Sequence, residues 1–373
     1  MNGLSQKRYL ELPLPTEDDP RSDQQRILDS LAAAGVEERV HIPVHILRQL
    51  YPLLDNAKWK ITVSLAWNGE NWEMVEIEEG DTTAQHYGLA VDLGSTTVVA
   101  RLLDCNSGEI LKEVSCFNKQ IQWGTDILSR IFYCKDNKEK LEEVRRATVE
   151  SICECMDKLD ASHSALSMVI AGNTTMIHFL LGMDAFCVFY TPHAVHADCP
   201  GFQLARDLDI PLKGYVYCYP AKSNYLGGDI ISGMIDTELY KKNEISVFFD
   251  IGTNGELVIG NKEFLLCGAG AAGPALEGGV VRTGMRADIG AVDEVKIRDG
   301  NIFVHVIGNS APQGICGSGI IDLIAELFLE GWIDIRGKLS PEKSPLIQER
   351  DNQLCVEYAP GLYFYQKDID EFI

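Results

Sequence analysis

The chain has 373 residues, of which 46% are hydrophobic, so it is long enough to form two or three domains with ordinary cores. Its 55 acidic and 33 basic residues give a formal net charge of −22, which disfavours non-specific binding to nucleic acid or anionic lipid. The N-terminal sequence has no secretory signal, and no stretch is apolar enough to span a bilayer. We therefore expect a cytoplasmic protein with neither a nucleic-acid nor a membrane partner.

The eleven cysteines are scattered through apolar segments, as expected of reduced, buried thiols. Cys153 and Cys155 are close in sequence, but two positions apart on a predicted helix they face different sides. No second pair completes a metal tetrad, and no ferredoxin-type cysteine run occurs. His193 and His196 lack a carboxylate or cysteine at zinc spacing. We expect no iron–sulfur cluster in this chain.

The N-terminal part divides into a proline-rich segment and a small domain. Residues 1–24 are rich in proline and charge, which predicts an extended linker. The periodicity that follows is helical at Gln25–Ala34 and Ile42–Leu54 and strand-like at Trp59–Ala66 and Trp72–Ile77, where an Asn-Gly turn separates the two strands. These patterns predict a small α+β domain over residues 25–86.

From residue 87 onward the sequence has the pattern of an α/β protein. Strongly apolar strand-like runs alternate with helical stretches such as Lys138–Leu159 and Ile320–Leu329. We divide this part into one subdomain at residues 87–245 and a second at 246–373, and we expect the second to be incomplete.

An internal repeat supports this division. GLAVDLGSTTVVARLLD, from Gly88 to Asp104, and VFFDIGTNGELVIG, from Val247 to Gly260, share one pattern: an apolar strand, Asp, Gly, Ser or Thr, a turn and a second strand. A single D-x-G-[ST] is weak, because any hairpin can use Asp and Gly in its turn. The duplication predicts two similar subdomains whose hairpin tips converge on one cleft.

The composition of the two hairpin tips suits phosphate groups. Gly94 and Gly252 allow close backbone approach, with N–H groups directed at the ligand. Further donors are expected from Ser95, Thr96, Thr97, Thr253, Asn254 and Gly255. Asp92 and Asp250, each at a strand end, are predicted to hold a hydrated Mg²⁺ that bridges the β- and γ-phosphates. Taken singly, each Asp is better explained as a turn-capping residue.

Three further turns have the composition of ligand-facing segments. In AGNTT, either Asn173 or Thr174 is the predicted helix N-cap whose neighbouring amides face an anion, although plain capping is an equal alternative. Gly227 and Gly228 precede Asp229, which is our candidate for orienting the attacking water, with an N-cap role as the alternative. Gly273 lies in GAGAAGPALEGG, a glycine-rich turn that either approaches a nucleotide or packs tightly. No G-x-x-x-x-G-K-[ST] motif occurs, which excludes a P-loop enzyme.

The chain resembles, over nearly its whole length, the ATP-dependent reductive activators of corrinoid proteins. The motifs that carry the resemblance are YLELPLPTEDDPRSD, AVDLGSTT, AGNTTMIHFLLG, DIGTNGE, GPALEGG, GICGSGIIDLIAE and the stretch from Asn118 to Arg130 with Gln120, Gly124 and Asp126. The resemblance implies an α/β fold of the actin-like ATPase (ASKHA) superfamily with ribonuclease H-like duplicated subdomains. It also implies ATP and Mg as cofactors, and an activity that drives Co(II) corrinoid to Co(I).

The resemblance further implies a corrinoid protein as partner and an electron donor, a ferredoxin-type module located elsewhere; a homodimer is possible. The chain lacks that module and ends before the segment that holds adenosine in the superfamily, so we expect a fragment, a truncated product or a divergent member that binds ATP weakly. Two alternatives remain at this point. One is a non-catalytic module that docks a corrinoid protein with an incomplete nucleotide site, and the other is a small-molecule kinase of the same superfamily.

Overall fold

The computed structural model describes residues 3–124, 126–162, 164–224, 226–251, 255–270 and 281–372. They form two compact units. The first consists of Met1–Ser246 with Gly260–Leu265, and the second of Val247–Ile259 with Leu266–Ile373. Within the described ranges, no helix is both long and apolar enough to cross a membrane.

The first unit begins with a small sheet covered by helices. Its strands are β1 (Ser5–Glu11), β2 (Val40–His41), β3 (Lys60–Trp67) and β4 (Trp72–Glu79), and its helices are α1 (Asp23–Ala33), α2 (Val44–Leu47) and α3 (Leu50–Asn56). The strands lie in the order β1-β3-β4-β2. The side chains of Ile27, Leu31, Ile61 and Trp72 are buried in its core. The predicted α+β character of this part agrees with these elements.

The segment predicted as one helix over Ile42–Leu54 forms two short helices instead. Pro52 explains the break, because a proline has no N–H and its ring clashes with the carbonyl group four residues earlier. Pro52 is therefore tolerated only in the first turn of a helix, and α3 begins at Leu50. The apolar periodicity still marks the core, since Ile46, Leu50 and Leu54 are all buried.

The prediction of an extended linker for residues 1–24 missed strand β1. This strand pairs antiparallel with β3 over its whole length. Its first residues are polar yet buried: Ser5 Oγ lies 2.9 Å from His86 Nε2 and 3.1 Å from Ser167 Oγ, and Lys7 Nζ donates to Glu78 Oε2 at 2.6 Å. Polar residues that pair with distant partners carry no apolar alternation, so the sequence pattern could not show this strand.

A six-stranded sheet forms the centre of the first unit. Its strands are β5 (Tyr87–Leu93), β6 (Thr97–Asp104), β7 (Ile110–Phe117), β8 (Ala165–Ala171), β9 (Gly201–Leu204) and β10 (Tyr215–Cys218), in the order β7-β6-β5-β8-β10-β9. Strands β5, β6 and β7 are antiparallel neighbours, whereas β5, β8 and β10 run parallel. The helices are α4 (Ile127–Cys134), α5 (Lys138–Lys158), α6 (Thr174–Leu180) and α7 (Gly228–Thr237).

The two faces of this sheet have different environments. Leu89, Val91 and Leu93 of β5 are buried in a core that includes residues of α5 and α6. Successive strand residues point to opposite faces, so Ala90 and Asp92 lie on the other face. Asp92 is exposed there.

In its described residues, the second unit contains three small sheets and two α-helices. Its elements are β11 (Ser246–Ile251), β12 (Gly255–Gly260), β13 (Leu265–Gly270), β14 (Ala291–Arg298), β15 (Asn301–Val306), β16 (Gly314–Ile315), α8 (Gly317–Leu329), β17 (Ile347–Arg350), β18 (Gln353–Ala359), β19 (Leu362–Tyr365) and α9 (Gln366–Phe372). The sheets have the orders β11-β12-β13, β15-β14-β16 and β17-β18-β19. Helix α8 packs on β14, where the Ile297 N–H donates to Glu326 Oε2 at 2.8 Å.

These elements confirm the predicted α/β fold class. Each copy of the sequence repeat opens a run of three strands that are neighbours in chain order, β5-β6-β7 and β11-β12-β13. One local prediction was wrong: Gly268 and Gly270 lie in strand β13 rather than in a turn. The remainder of that glycine-rich segment lies outside the described residues, and the domain bounds at residues 24, 86 and 245 stay predictions.

A buried arginine of α1, Arg26, forms hydrogen bonds with the N-terminal segment of the chain. The Arg26 side chain is fully buried, and its Nη1 donates to Asp19 Oδ2 at 2.7 Å and to the Pro13 carbonyl oxygen at 3.2 Å. Hydrogen bonds from Arg21 and Arg26 hold the pKa of the Asp19 carboxyl well below its usual range. The ion pair is therefore expected to stabilise the fold at neutral pH.

We predict that Asp19→Asn lowers the free energy of unfolding at pH 7 and that its difference from wild type shrinks as the pH falls. A carboxyl with a lowered folded-state pKa contributes its full stabilisation above its unfolded-state pKa of about 4, and loses it as the pH falls toward the folded-state value. Urea unfolding followed by circular dichroism between about pH 7 and about pH 3 measures this difference. Asp18→Asn, at an exposed neighbouring carboxylate, is the control. A difference that is constant with pH would contradict the prediction.

Candidate functional site

Three of the predicted turns meet at one end of the central sheet. The turn after β5 contains Gly94, the turn after β8 contains Gly172 and Asn173, and the turn before α7 contains Gly227. The Gly228 N–H donates to the Gly172 carbonyl oxygen at 2.8 Å. A Cβ atom on Gly172 would lie 2.7 Å from the Leu93 carbonyl oxygen. The structure thus brings together turns that are far apart in the sequence.

Close contacts within and between these turns leave no room for side chains at their glycines. A Cβ atom on Gly227 would lie 2.4 Å from Asn173 Cα, and one on Gly94 would lie 2.4 Å from the Thr97 carbonyl oxygen. Gly227 has φ −86°, a conformation that any residue can adopt, so close approach rather than backbone freedom requires glycine there. Around Gly94, the Ser95 residue is buried while Thr96 and Thr97 are partly exposed.

Asn173 has the capping role that its position predicted. Its Oδ1 accepts from the Met176 N–H at 3.0 Å at the start of α6. Thr174 Oγ1 donates to the Ser223 carbonyl oxygen at 2.6 Å. This hydrogen bond connects the segment preceding α7 to the turn that contains Asn173. The plain capping alternative is thus sufficient for the Asn173 side chain, and an additional role at a ligand stays a prediction.

Asp229 lies in the first turn of α7 but is not its cap. The N-cap residue is Gly227, and Asp229 Oδ1 accepts from the adjacent Ile230 N–H at 2.8 Å. The N-cap alternative for Asp229 was therefore wrong by two positions, because the helix begins at Gly228. Asp229 is partly buried, and its carboxylate lies at the helix end where the macrodipole favours a negative charge.

Asp92 borders an open cavity of about 680 Å³ on the sheet face opposite the core. Strands β5, β6 and β8 form its floor, with Ala90, Val99 and Val169, and helix α7 forms one wall. Such a volume is in the range of small-molecule sites, which combine an apolar lining with a few polar groups. Asp92 is the predicted site residue that lines it.

The cavity also contains polar residues that the sequence interpretation missed. Arg101 and Glu113 occupy directly paired positions on β6 and β7 and form an ion pair, while Ser232 and Asp236 line the wall from α7. Opposite charges at facing positions of a predicted hairpin are a sequence signal that could have revealed the first pair. The two α7 residues follow Asp229 along the helix, and only the packing of α7 on the sheet shows that they face the cavity.

In the second unit, Asp250 lies near the end of β11 and is partly buried. Burial raises the pKa of its carboxyl from the usual value, since burial disfavours the charged form. Gly255 begins β12 and is also partly buried. The other predicted residues of this unit, Gly252, Thr253, Asn254 and Gly273, lie outside the described residues, and a shared role for Asp92 and Asp250 stays a prediction.

The cysteines are free thiols. Cys155 is buried, with its Sγ 3.4 Å from Cys116 Sγ, whereas Cys153 is only partly buried. Burial raises the pKa of the Cys155 thiol to about 12, so this thiol is protonated at neutral pH. In the part of the chain that the structure describes, no group of three or more His, Cys, Asp or Glu side chains is arranged to hold a metal ion.

A duplicated three-strand arrangement with glycine turns at the strand ends is typical of the ASKHA class of ATPase domains. Family models match three consecutive parts of the chain: the RACo linker region at residues 1–84, the RACo middle region at 87–242, and the C-terminal domain of RACo, the ASKHA domain, at 244–373. The chain belongs to the RACo family.

Proteins similar to the chain include two curated proteins and a solved structure. A Eubacterium limosum protein named corrinoid activation enzyme RamQ is 36% identical over 287 residues, which are 74% of this chain and 48% of that protein. A Methanosarcina barkeri protein named Co(II) methylated amine-specific corrinoid protein reductase is 23% identical over 319 residues, 76% of this chain and 56% of that protein. The chain thus spans about half the length of these relatives.

The solved structure is described as a reductive activator for corrinoid, iron-sulfur protein. It matches with a TM-score of 0.86 and 34% sequence identity, over 99% of this chain and 61% of that chain. The overall match confirms both the predicted resemblance and the actin-like fold class.

We predict that Gly227→Ala destabilises the first unit by about 1–3 kcal/mol, the usual cost of forcing an extra carbon into a packed site. The added Cβ would displace the Asn173 turn, since it would otherwise lie 2.4 Å from Asn173 Cα. Urea unfolding measures the change. Gly3→Ala is the matched control, because a Cβ on Gly3 would lie 3.5 Å from the nearest atom, the Ser5 carbonyl oxygen. Equal stabilities of the two variants would show that the turns are less tightly packed than described.

Proposed function

We propose that this chain belongs to an enzyme that binds Mg·ATP and uses its hydrolysis to drive an inactive Co(II) corrinoid of a partner protein to Co(I). The observation that supports ATP binding is the direct packing of three glycine turns around the end of β5, beside an open cavity that Asp92 lines. The names of the two relatives and of the similar structure support the corrinoid partner.

Phosphate binding in this proposal depends on local donors. The formal net charge of −22 provides no general attraction for a nucleotide. Backbone N–H groups in glycine turns can hold phosphate oxygens without a basic surface, because oriented peptide dipoles form an anion-binding concavity. Ser95, Thr96 and Thr97 add hydroxyl groups to one such turn, and the turns at Gly172 and Gly227 supply further backbone amides.

Asp92 suits the metal that accompanies ATP. Mg²⁺ keeps several of its waters and is usually held by one or two carboxylates together with substrate phosphates. An exposed carboxylate at the edge of an open cavity has the room for a hydrated ion. Asp250 is proposed as the second carboxylate, since it occupies the corresponding position of the other sequence repeat. When bound, the ion would neutralise charge on the phosphate oxygens.

Asp229 is proposed to orient the water that attacks the γ-phosphorus. In hydrolysis a water oxygen bonds to this phosphorus, the bond to the oxygen bridging the β- and γ-phosphates breaks, and ADP, phosphate and a proton result. The corrinoid half of the reaction needs one electron for each cobalt. We assign that electron to a low-potential one-electron donor of the iron–sulfur class. This donor would be a ferredoxin-type module located elsewhere than in this chain.

Titration of Mg·ATP into the chain, followed by titration of a Co(II) corrinoid protein, tests the proposal by calorimetry. We expect saturable binding of one ATP that requires Mg²⁺, and binding of the corrinoid protein. Corrinoid binding without any ATP binding would favour the docking-module alternative. ATP binding that is unaffected by corrinoid proteins, together with phosphate transfer to a small alcohol, would favour the kinase alternative.

We predict that in the full-length protein Asp250→Ala loses more Mg·ATP-dependent activity than Asp229→Ala. A carboxylate that holds the metal shell stabilises both bound nucleotide and transition state, so its loss raises KM and lowers kcat. Loss of a water-orienting carboxylate should lower turnover by about 10²- to 10⁴-fold and leave ATP affinity nearly intact.

Steady-state ATP hydrolysis and direct ATP binding measure the two effects separately. Asp207→Asn is the control, because this carboxylate is 71% exposed and lies after β9. If Asp229→Ala abolishes ATP binding while Asp250→Ala retains normal turnover, the roles of the two residues are wrong.

A further inference from the structure

Three buried polar side chains lie behind the Gly94 turn, and the proposed function leaves them without a role. They are Asn118 and Gln120, from the short 3-10 segment after β7, and Arg130 of α4, and we refer to them as the anchor cluster. All three side chains are fully buried. They belong to the sequence stretch that carried part of the family resemblance.

The anchor cluster contacts three consecutive carbonyl groups of the turn. Asn118 Nδ2 donates to the Gly94 carbonyl oxygen at 2.9 Å, and Arg130 Nη1 donates to that of Ser95 at 2.7 Å. The Asn118 backbone N–H donates to the Thr96 carbonyl oxygen at 2.8 Å. Each carbonyl group of the turn is thus directed toward the buried side of the protein.

The orientation of these carbonyl groups determines the orientation of the following amides. In a planar trans peptide, the C=O of one residue and the N–H of the next point in opposite directions. With the carbonyls of Gly94, Ser95 and Thr96 held inward, the N–H groups of residues 95–97 are directed away from the anchor cluster. Successive N–H groups on one side of a turn form an anion-binding concavity.

The anchor cluster is itself held in place. Gln120 Oε1 accepts from Arg130 Nη1 at 3.0 Å, and Gln120 Nε2 donates to Thr148 Oγ1 of α5. Asn118 Oδ1 accepts from the Gln120 N–H at 3.0 Å. These bonds connect the turn to helix α5, so the turn is rigid relative to the core of the first unit.

Two further residues of the same stretch fix Arg130. Its Nε donates to the Gly124 carbonyl oxygen at 3.0 Å, and Gly124 has φ 149°, where a Cβ would lie 2.5 Å from Ser129 Cβ. Asp126 caps α4 by accepting from the Ser129 N–H at 2.8 Å. One hydrogen-bonded network next to the Gly94 turn therefore explains the spacing of Asn118, Gln120, Gly124, Asp126 and Arg130.

We propose that Arg130 and Asn118 are positioning residues of the phosphate site: they direct the amides of residues 95–97 toward the terminal phosphates of a nucleoside triphosphate. This inference rests on the proposed function and deepens it. Neither side chain touches the ligand, and both act through the peptide planes of the turn. A pre-oriented set of donors avoids the cost of reorganising the turn when an anion binds.

Substitutions of both residues in the full-length protein test the proposal. Arg130→Met removes the donor to Ser95, and Asn118→Asp removes the donor to Gly94 while it keeps the acceptor for Gln120. Each should raise the Kd for Mg·ATP about tenfold or more, as expected for the loss of a strong hydrogen bond. Arg130→Lys should be intermediate, because one ammonium can bond to the Ser95 carbonyl but cannot also reproduce the guanidinium fork.

Amide spectra of the ligand-free variants separate positioning from general destabilisation. The ¹H–¹⁵N shifts and hydrogen exchange of residues 95–97 should change in Arg130→Met and Asn118→Asp. They should not change in Arg26→Met, which also removes a fully buried arginine that donates to backbone carbonyls, but at the start of the chain. Should Arg130→Met fail to fold, Asn118→Asp provides the same test.

The possible results distinguish failure of the positioning proposal from failure of the proposed function. Folded variants that bind Mg·ATP as tightly as wild type, with unchanged amide signals at residues 95–97, overturn the positioning proposal alone. A wild-type full-length protein that does not bind Mg·ATP overturns the proposed function, and the positioning proposal with it.

Discussion

A peptide group cannot direct its C=O and its N–H to the same side, and this constraint governs the turn between β5 and β6. Buried donors from Asn118 and Arg130 take up the carbonyls of Gly94, Ser95 and Thr96. The N–H groups of residues 95–97 are therefore directed to the opposite side of the turn. The central sheet, α4 and α5 together hold these donors, so a large part of the first unit contributes to the geometry of one short turn.

Backbone contacts also fix the positions of the other two turns. Gly227 lies against Asn173, and the Gly228 N–H donates to the Gly172 carbonyl, so the three turns form a continuous arrangement of backbone at the end of parallel strands. A strongly acidic chain can bind an anion only through such local donors, because its long-range field is repulsive. The same acidity supplies the carboxylates, Asp92 among them, that a hydrated metal ion requires.

The sequence was sufficient for features that depend on local pattern. Periodicity located α1, α5 and α8, and the repeated D-x-G pattern predicted the two hairpins that open the three-strand runs. It also found Gly94, Asn173 and Gly227, because glycine turns and helix caps have local signatures. The sequence did not predict contacts between distant residues. The contact of Ser5 with His86 leaves no periodic pattern, and the hydrogen bond from Arg130 to the Ser95 carbonyl oxygen is recognisable only in the folded structure. Pro52 is a local signal against a single helix over Ile42–Leu54.

We infer that these turns form one phosphate site, and paramagnetic relaxation in the presence of Mn²⁺·ATP is a direct test of that inference. Mn²⁺ replaces Mg²⁺ at oxygen ligands and broadens amide signals near it. We expect the amide signals of residues 94–97, 172–173 and 227–229 to broaden together on addition of Mn²⁺·ATP, with no comparable broadening in the N-terminal sheet. Broadening confined to other residues, or to only one of the three turns, would contradict the claim.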